Sequence, residues 1–177
     1  MTEDAAALML DTLRRLFRRD IAAMRREIEA YPDDATLWTI VPGIANSGGT
    51  LGLHIAGNLR HFIGAALGNT GYVRDRDAEF SMRNAPRSFV VEQLTDAEQS
   101  VDTALRDFDP ARLEDEYPVQ LPADMRARIA PFLMHLAVHL GYHLGQVDYH
   151  RRVVTGSPET VGTIAMPPLF SGAVVDA

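Results

Sequence analysis

Four of the six histidines, His135, His139, His143 and His150, fall within sixteen residues of one apolar segment. A chain built this way must fold so that several imidazoles inside an apolar stretch find partners. Residues four apart on a helix share a face, with Cβ atoms about 5–6 Å apart, so two imidazoles at that spacing can close on one cation at a bond length of about 2 Å. His139 and His143 form such a pair. His135 and His143 are separated by about 12 Å of axial rise, so one helix does not supply three ligands and a second helix has to face it.

The rest of the chain supplies helices of that kind. Leu10, Leu13, Phe17, Ile21, Met24 and Ile28 recur at steps of three and four between Glu3 and Ala30, with arginines and glutamates between them, which predicts an amphipathic helix ended by Tyr31-Pro32. Asn46 to Thr50 offers cap-type residues before Leu51, Ile55, Leu59, Ile63 and Leu67, a second helix closed by Gly68 and Gly71. A third starts near Pro86 and runs to about Phe108. A fourth covers about Asp124 to Val154, with Pro131 kinking it or marking the start of its main part, and Thr155-Gly156-Ser157-Pro158 stops it. Pro110, Pro118 and Pro122 make 111–123 an extended connection, and the apolar but non-periodic last twenty or so residues are expected to lie extended against the helices or a neighbouring subunit. The prediction is all-α: an antiparallel four-helix bundle forming one domain over residues 1–177.

Composition narrows the chemistry. Zero cysteines exclude disulfides, iron–sulfur clusters, thiolate zinc sites and a cysteine nucleophile, so any metal is held by nitrogen and oxygen. A net charge of -7, with seventeen basic residues dispersed among acids, argues against nucleic acid as a partner. No apolar run approaches the roughly 20 residues needed to span a bilayer, and Met1-Thr2-Glu3-Asp4 lacks the basic start of a signal peptide. A cytoplasmic protein without membrane contact is expected.

His54 lies on the apolar stripe of the second helix, where a bundle turns it inward. With His139 and His143 it makes a three-nitrogen site that leaves a position open for water or substrate, as catalytic rather than structural zinc does. Leu140-Gly141 follow His139 where a HExxH metalloprotease helix carries its glutamate, which sets peptidase aside. Gly141 and Gly145 each cost about 1 kcal/mol relative to alanine inside a helix and point to close backbone approach by a neighbour or ligand. Gln146, one turn beyond His143, is placed to orient a ligand or a bound water. The competing reading is that each histidine is a core residue bonded to a backbone carbonyl, and for His135 and His150 packing or surface roles are the stronger reading. His61 stands about 10.5 Å from His54 along the axis, too far to share the ion but suited to the pocket mouth. Asp148 sits beside the ligand face without declaring itself a base.

With those residues in view, the chain resembles the DinB-like (YfiT-like) superfamily of metal-binding four-helix bundles. The likeness is carried by Asn46-Ser47-Gly48-Gly49-Thr50-Leu51 leading into His54 and Ala56-Gly57-Asn58-Leu59, by Arg74 to Phe80, and by His139-Leu-Gly-Tyr-His143-Leu-Gly-Gln146, and it spans most of the chain to about Arg152. The resemblance implies that His54, His139 and His143 bind a divalent metal, commonly zinc or nickel. It also implies an activity in which a low-molecular-weight thiol of the bacillithiol, mycothiol or glutathione type is transferred to a small electrophile through a metal-bound thiolate, with no catalytic residue assigned. The lack of cysteine agrees, since the sulfur then arrives with the cosubstrate. A metal-dependent hydrolase of small esters or amides and a bundle that binds metal or a small ligand without turnover are the alternatives. Arg74 and Arg76, with Arg83 and Arg87, are placed to grip the carboxylates of such a thiol, and their pairing with Asp75, Asp77 and Glu79 is the stronger competing reading. The likeness and the apolar tail together lead to the expectation of a homodimer.

Overall fold

The computed structural model describes residues 1–121 and 124–166, and within them the protein is helical, with a single isolated bridge between Glu116 and Arg128 and no strand. Four long helices carry the core. α1 (Glu3–Glu29) begins where the Thr2 side chain accepts from the Ala5 amide, and it buries Leu10, Leu13, Phe17, Ile21, Met24 and Ile28, the residues whose spacing marked it. Between α1 and the next long helix lies the single turn α2 (Asp34–Leu37), capped by the Asp33 carboxylate and too short to carry a periodic signal. α3 (Gly48–Leu59) is capped by Ser47, is buried on every side, and passes without a break into a π-helical turn over Arg60–Ala65.

Two corrections to the sequence reading follow. The charged run after Val73, which reads as loop, contains α4 (Arg76–Ser81), started by Asp75 accepting from the Ala78 amide. The stretch expected to be extended opens with a 3₁₀ turn over Pro110–Glu114, where proline at the first positions suits a helical φ and Asp109 caps the Ala111 amide.

α5 (Arg87–Arg106) follows Pro86, and α6 (Ile129–Thr155) begins five residues later than expected, with Pro131 in its first turn, where the missing N–H costs nothing. Gly156, at φ 67°, ends α6 in the left-handed conformation that glycine adopts without strain.

α1 and α3 each pack against both α5 and α6. One buried ion pair ties α6 to α1: Arg151 Nε donates to Glu27 Oε2 at 2.5 Å, and the Thr163 hydroxyl donates to Oε1 of the same carboxylate at 2.8 Å. Such a pair fixes register more than it adds stability, since both charges leave water. The chain beyond α6 is held to α1 through its carbonyls, with Arg26 donating to Val161 and Gly162 at 3.0 and 3.1 Å. The expectation of an extended tail falls in its remaining part on 167–177, outside the described residues. Among the described residues no helix is long and apolar enough to cross a membrane.

Candidate metal centre

α3 has no polar face to spare, so its one histidine has nowhere to go but inward, and His54 is buried opposite the His139–His143 face of α6. The two helices bring one nitrogen of each ring within 4.8 Å of the other two. All three are Nε2-facing: His54 Nε2 lies 3.4 Å from His139 Nε2, and His143 Nε2 lies 3.0 Å from the same atom. Ligands about 2.05 Å from a tetrahedral centre sit roughly 3.3 Å apart, so these two separations suit rings that would share one ion, and the third pair, His54 and His143, also lies within 4.8 Å. Among the described residues no fourth His, Asp or Glu joins this group.

The outward nitrogens explain why the inner ones carry lone pairs. His143 Nδ1 stands 2.7 Å from Gln146 Oε1, an atom that accepts and does not donate, so the proton is on Nδ1 and Nε2 is free to ligate. His54 Nδ1 lies 3.2 Å from both Glu79 Oε2 and Arg74 Nη2; a proton donated from it to the carboxylate, which can only accept, leaves Nε2 free in the same way. Glu79 is in turn gripped by Arg74, whose Nε and Nη2 donate to its two oxygens at 2.7 Å each. A carboxylate behind a histidine behind a metal site sets the ring's tautomer and orientation, and such backing groups matter to affinity nearly as much as ligands do. His139 Nδ1 is the exception, buried and without a hydrogen-bond partner among the described residues.

Glu79 reaches His54 because α3 has a glycine where it arrives. A Cβ on Gly57 would lie 2.8 Å from the Glu79 carboxyl carbon and closer still to its Oε1. Phe80 follows on α4 and closes the flank, its ring centroid 4.9 Å from that of His54.

The electrostatics favour neutral rings. Desolvation, followed by the neighbouring His143 and His54 rings, pushes the His139 pKa down to about 4, and desolvation also lowers His143. Neutral imidazole is the form that binds metal. Burial by itself would raise the Glu79 carboxyl, but hydrogen bonds from Arg74 and His54 outweigh it and hold the group below the usual carboxylate range.

The other residues singled out in the sequence lie further off. Arg74 belongs to the centre through Glu79, whereas Arg76 is exposed and stacks over Phe80, 4.7 Å from the ring centroid, one layer behind His54. Arg83 donates to the Phe80 and Met82 carbonyls, and Arg87 to those of Glu29 and Tyr31. His61 lies in the π-helical turn with its ring against Phe62, its pKa lowered by desolvation and then by the Arg74 charge. His135 is exposed and stacked beside His139. His150 is a core residue, with Nδ1 2.7 Å from the Tyr31 hydroxyl and Nε2 donating to the Thr39 carbonyl at 2.9 Å. Asp148 turns away from the rings to accept from Arg151 and Arg152 at 3.3 and 2.8 Å. Among the described residues, nothing lies within 4 Å of a Cβ built on Gly141 or Gly145.

A cavity of about 420 Å³ opens one turn along α6 from His143, at Gln146, between Leu51, Ile44, Tyr149 and His150. A cavity of about 630 Å³ lies along the arginine-rich face of α1, lined by no histidine.

A family profile described as "Protein of unknown function (DUF1572)" matches residues 4–167, a span that contains every residue of the centre. No curated protein and no solved structure matches the chain.

Proposed function

We propose that this chain, which belongs to the DUF1572 family, is a divalent-metal-dependent transferase that moves a low-molecular-weight thiol onto a small electrophile, on an antiparallel four-helix bundle of the DinB-like superfamily. One observation carries the reading: three imidazole Nε2 atoms, from α3 and α6, converge with the spacing of ligands around one ion. Zinc or nickel held there would keep a coordinated thiol as its thiolate at neutral pH.

The chain's own residues account for the remaining requirements. Glu79 and Gln146 hold the Nδ1 protons of His54 and His143, so both rings present lone pairs without rearrangement. Arg74 neutralises Glu79 and keeps that carboxylate off the open side. Phe80 shields His54 from water on its outer flank. The cavity beginning at Gln146 offers an apolar wall, Ile44, Leu51 and Tyr149, for the body of the electrophile. Hydrolysis of esters or amides is the weaker reading because the carboxylate nearest the rings, Glu79, has both oxygens engaged by Arg74 and is not placed to take a proton from water.

The test is a titration of nickel-loaded protein with glutathione and other small thiols, followed by absorbance in the thiolate-to-metal charge-transfer region and by turnover with small electrophiles. The expected result is a new band that is absent from His54→Ala. A spectrum indifferent to millimolar thiol would refute the thiol reading. A band without turnover on any electrophile would leave a thiol-binding protein and refute the transferase.

A further inference from the structure

We infer that the arginine-lined cavity on α1 is a binding site for a small molecule carrying two or more phosphate groups, separate from the metal centre. Every basic residue of the chain is an arginine, and six of the seventeen fall within residues 14–26 of α1. With 3.6 residues per turn, Arg14, Arg18 and Arg25 form one row and Arg15, Arg19 and Arg26 the next, with Ala22 between them, and all seven line the cavity of about 630 Å³. That volume lies within the range of about 300–1,000 Å³ usual for small-molecule sites. Nothing in the fold calls for the crowding. Arginines three and four apart on a helix repel and weaken it, and Arg14, Arg15, Arg18 and Arg19 stand in the middle of α1, away from the C-terminal turn where positive charge is favourable.

Carboxylates neutralise only part of this charge. Among the described residues the cavity is lined by Asp11, Glu98 and Asp102, and each is taken: Asp102 accepts from Arg14 Nε at 2.8 Å, Asp11 from Arg15 Nε at 2.7 Å and Glu98 from Arg25 Nη1 at 2.9 Å. Arg19 Nε donates to Asp20 at 2.7 Å. Arg26 is spent on the neutral carbonyls of Val161 and Gly162, and the exposed Arg18 has no hydrogen bond or ion pair among the described residues. Two charges in one cavity thus lack a counter-charge, in a chain whose net charge is -7. Arg14 and Arg19 use Nε in these bonds, so their Nη donors, part of a planar fork that suits phosphate oxygens, face an occupant. Arg18 and Arg26 are two turns apart, about 12 Å along the axis, so one phosphate is too short to meet both and a di- or triphosphate is the better match. A nucleic-acid backbone fits less well, since the arginines gather on one cavity while the rest of the chain is acidic.

Isothermal titration calorimetry of the full chain at low salt, with pyrophosphate and with ATP and no added divalent metal, tests this. One site per chain with a Kd of about 100 μM or tighter is expected, and orthophosphate is expected to bind at least roughly tenfold more weakly. Arg18→Ala is expected to weaken pyrophosphate by about tenfold or more, the loss of one charge-assisted bond, and to keep its helical circular dichroism, because Arg18 holds no other described residue. Arg112→Ala, on the surface beyond α5, is expected to leave the affinity unchanged. His54→Ala is expected to bind as the wild type does, which separates this site from phosphate ligated by a metal at the histidines. No heat with either probe at millimolar concentration, binding of a single-stranded oligonucleotide without binding of pyrophosphate, equal affinity in Arg18→Ala, or loss of binding in His54→Ala overturns the inference.

Discussion

Gly57→Ala probes the support of the metal centre without touching a ligand. In an exposed helix interior this change stabilises by about 1 kcal/mol. Here the added methyl would lie 2.8 Å from the Glu79 carboxyl carbon, with the backbone of α3 fixed behind it by a fully buried helix. Glu79 therefore has to move, which breaks its contact with His54 and the geometry of its two bonds to Arg74. Overpacking costs about 1–3 kcal/mol, and disrupting a buried ion pair about 3–5 kcal/mol when one partner is lost outright. Since the carboxylate is displaced rather than deleted, a net loss of about 2 kcal/mol is expected, or a Tm lower by roughly 4–8 °C in a chain of this size. Losing the group behind a histidine ligand lowers metal affinity by about 10–100-fold. Thermal unfolding of the metal-stripped protein and chelator competition for zinc read the two effects separately. A variant that melts higher than wild type and binds zinc equally well would refute the role given to Glu79.

Two further outcomes follow from the same structure. His139 has its pKa lowered to about 4, so between the ordinary histidine value near 6.5 and that pH the unfolded chain binds a proton that the folded one refuses. The metal-free protein is accordingly expected to lose stability as pH falls through that window, with a shallower slope in His139→Ala; an unchanged slope in the variant would contradict the assignment. His150→Ala removes the nearer of the two partners of the buried Tyr31 hydroxyl, leaving the Val147 carbonyl at 3.4 Å, and is expected to destabilise by about 1–3 kcal/mol with metal content unchanged, measured by denaturant unfolding and elemental analysis. Loss of the ion in that variant would mean that His150, not one of the other rings, belongs to the centre.

The three ligand candidates were legible because a helix converts spacing into direction. His139 and His143 stand four apart on an apolar segment, and His54 sits on a stripe that no polar face interrupts. Gln146 was legible for the same reason, one turn from His143. Glu79 was not, because its contact with His54 spans 25 residues of chain and depends on how α4 folds back over α3. In the sequence it stands in a charged run that reads as a solvated loop. Gly57 was the available signal, a glycine three residues after His54 on the same helix. Gly141 and Gly145 point to a close approach, and none of the described residues makes one. The short helices α2 and α4 leave no periodic signal in the sequence because each is set by a capping aspartate, Asp33 or Asp75.

The most direct measurement is an anomalous-difference map from crystals loaded with nickel or zinc. A single peak about 2.0–2.1 Å from the Nε2 atoms of His54, His139 and His143, absent in crystals of His54→Ala, is the predicted result. A peak bound elsewhere, or no density between the three rings at full metal loading, would contradict the account.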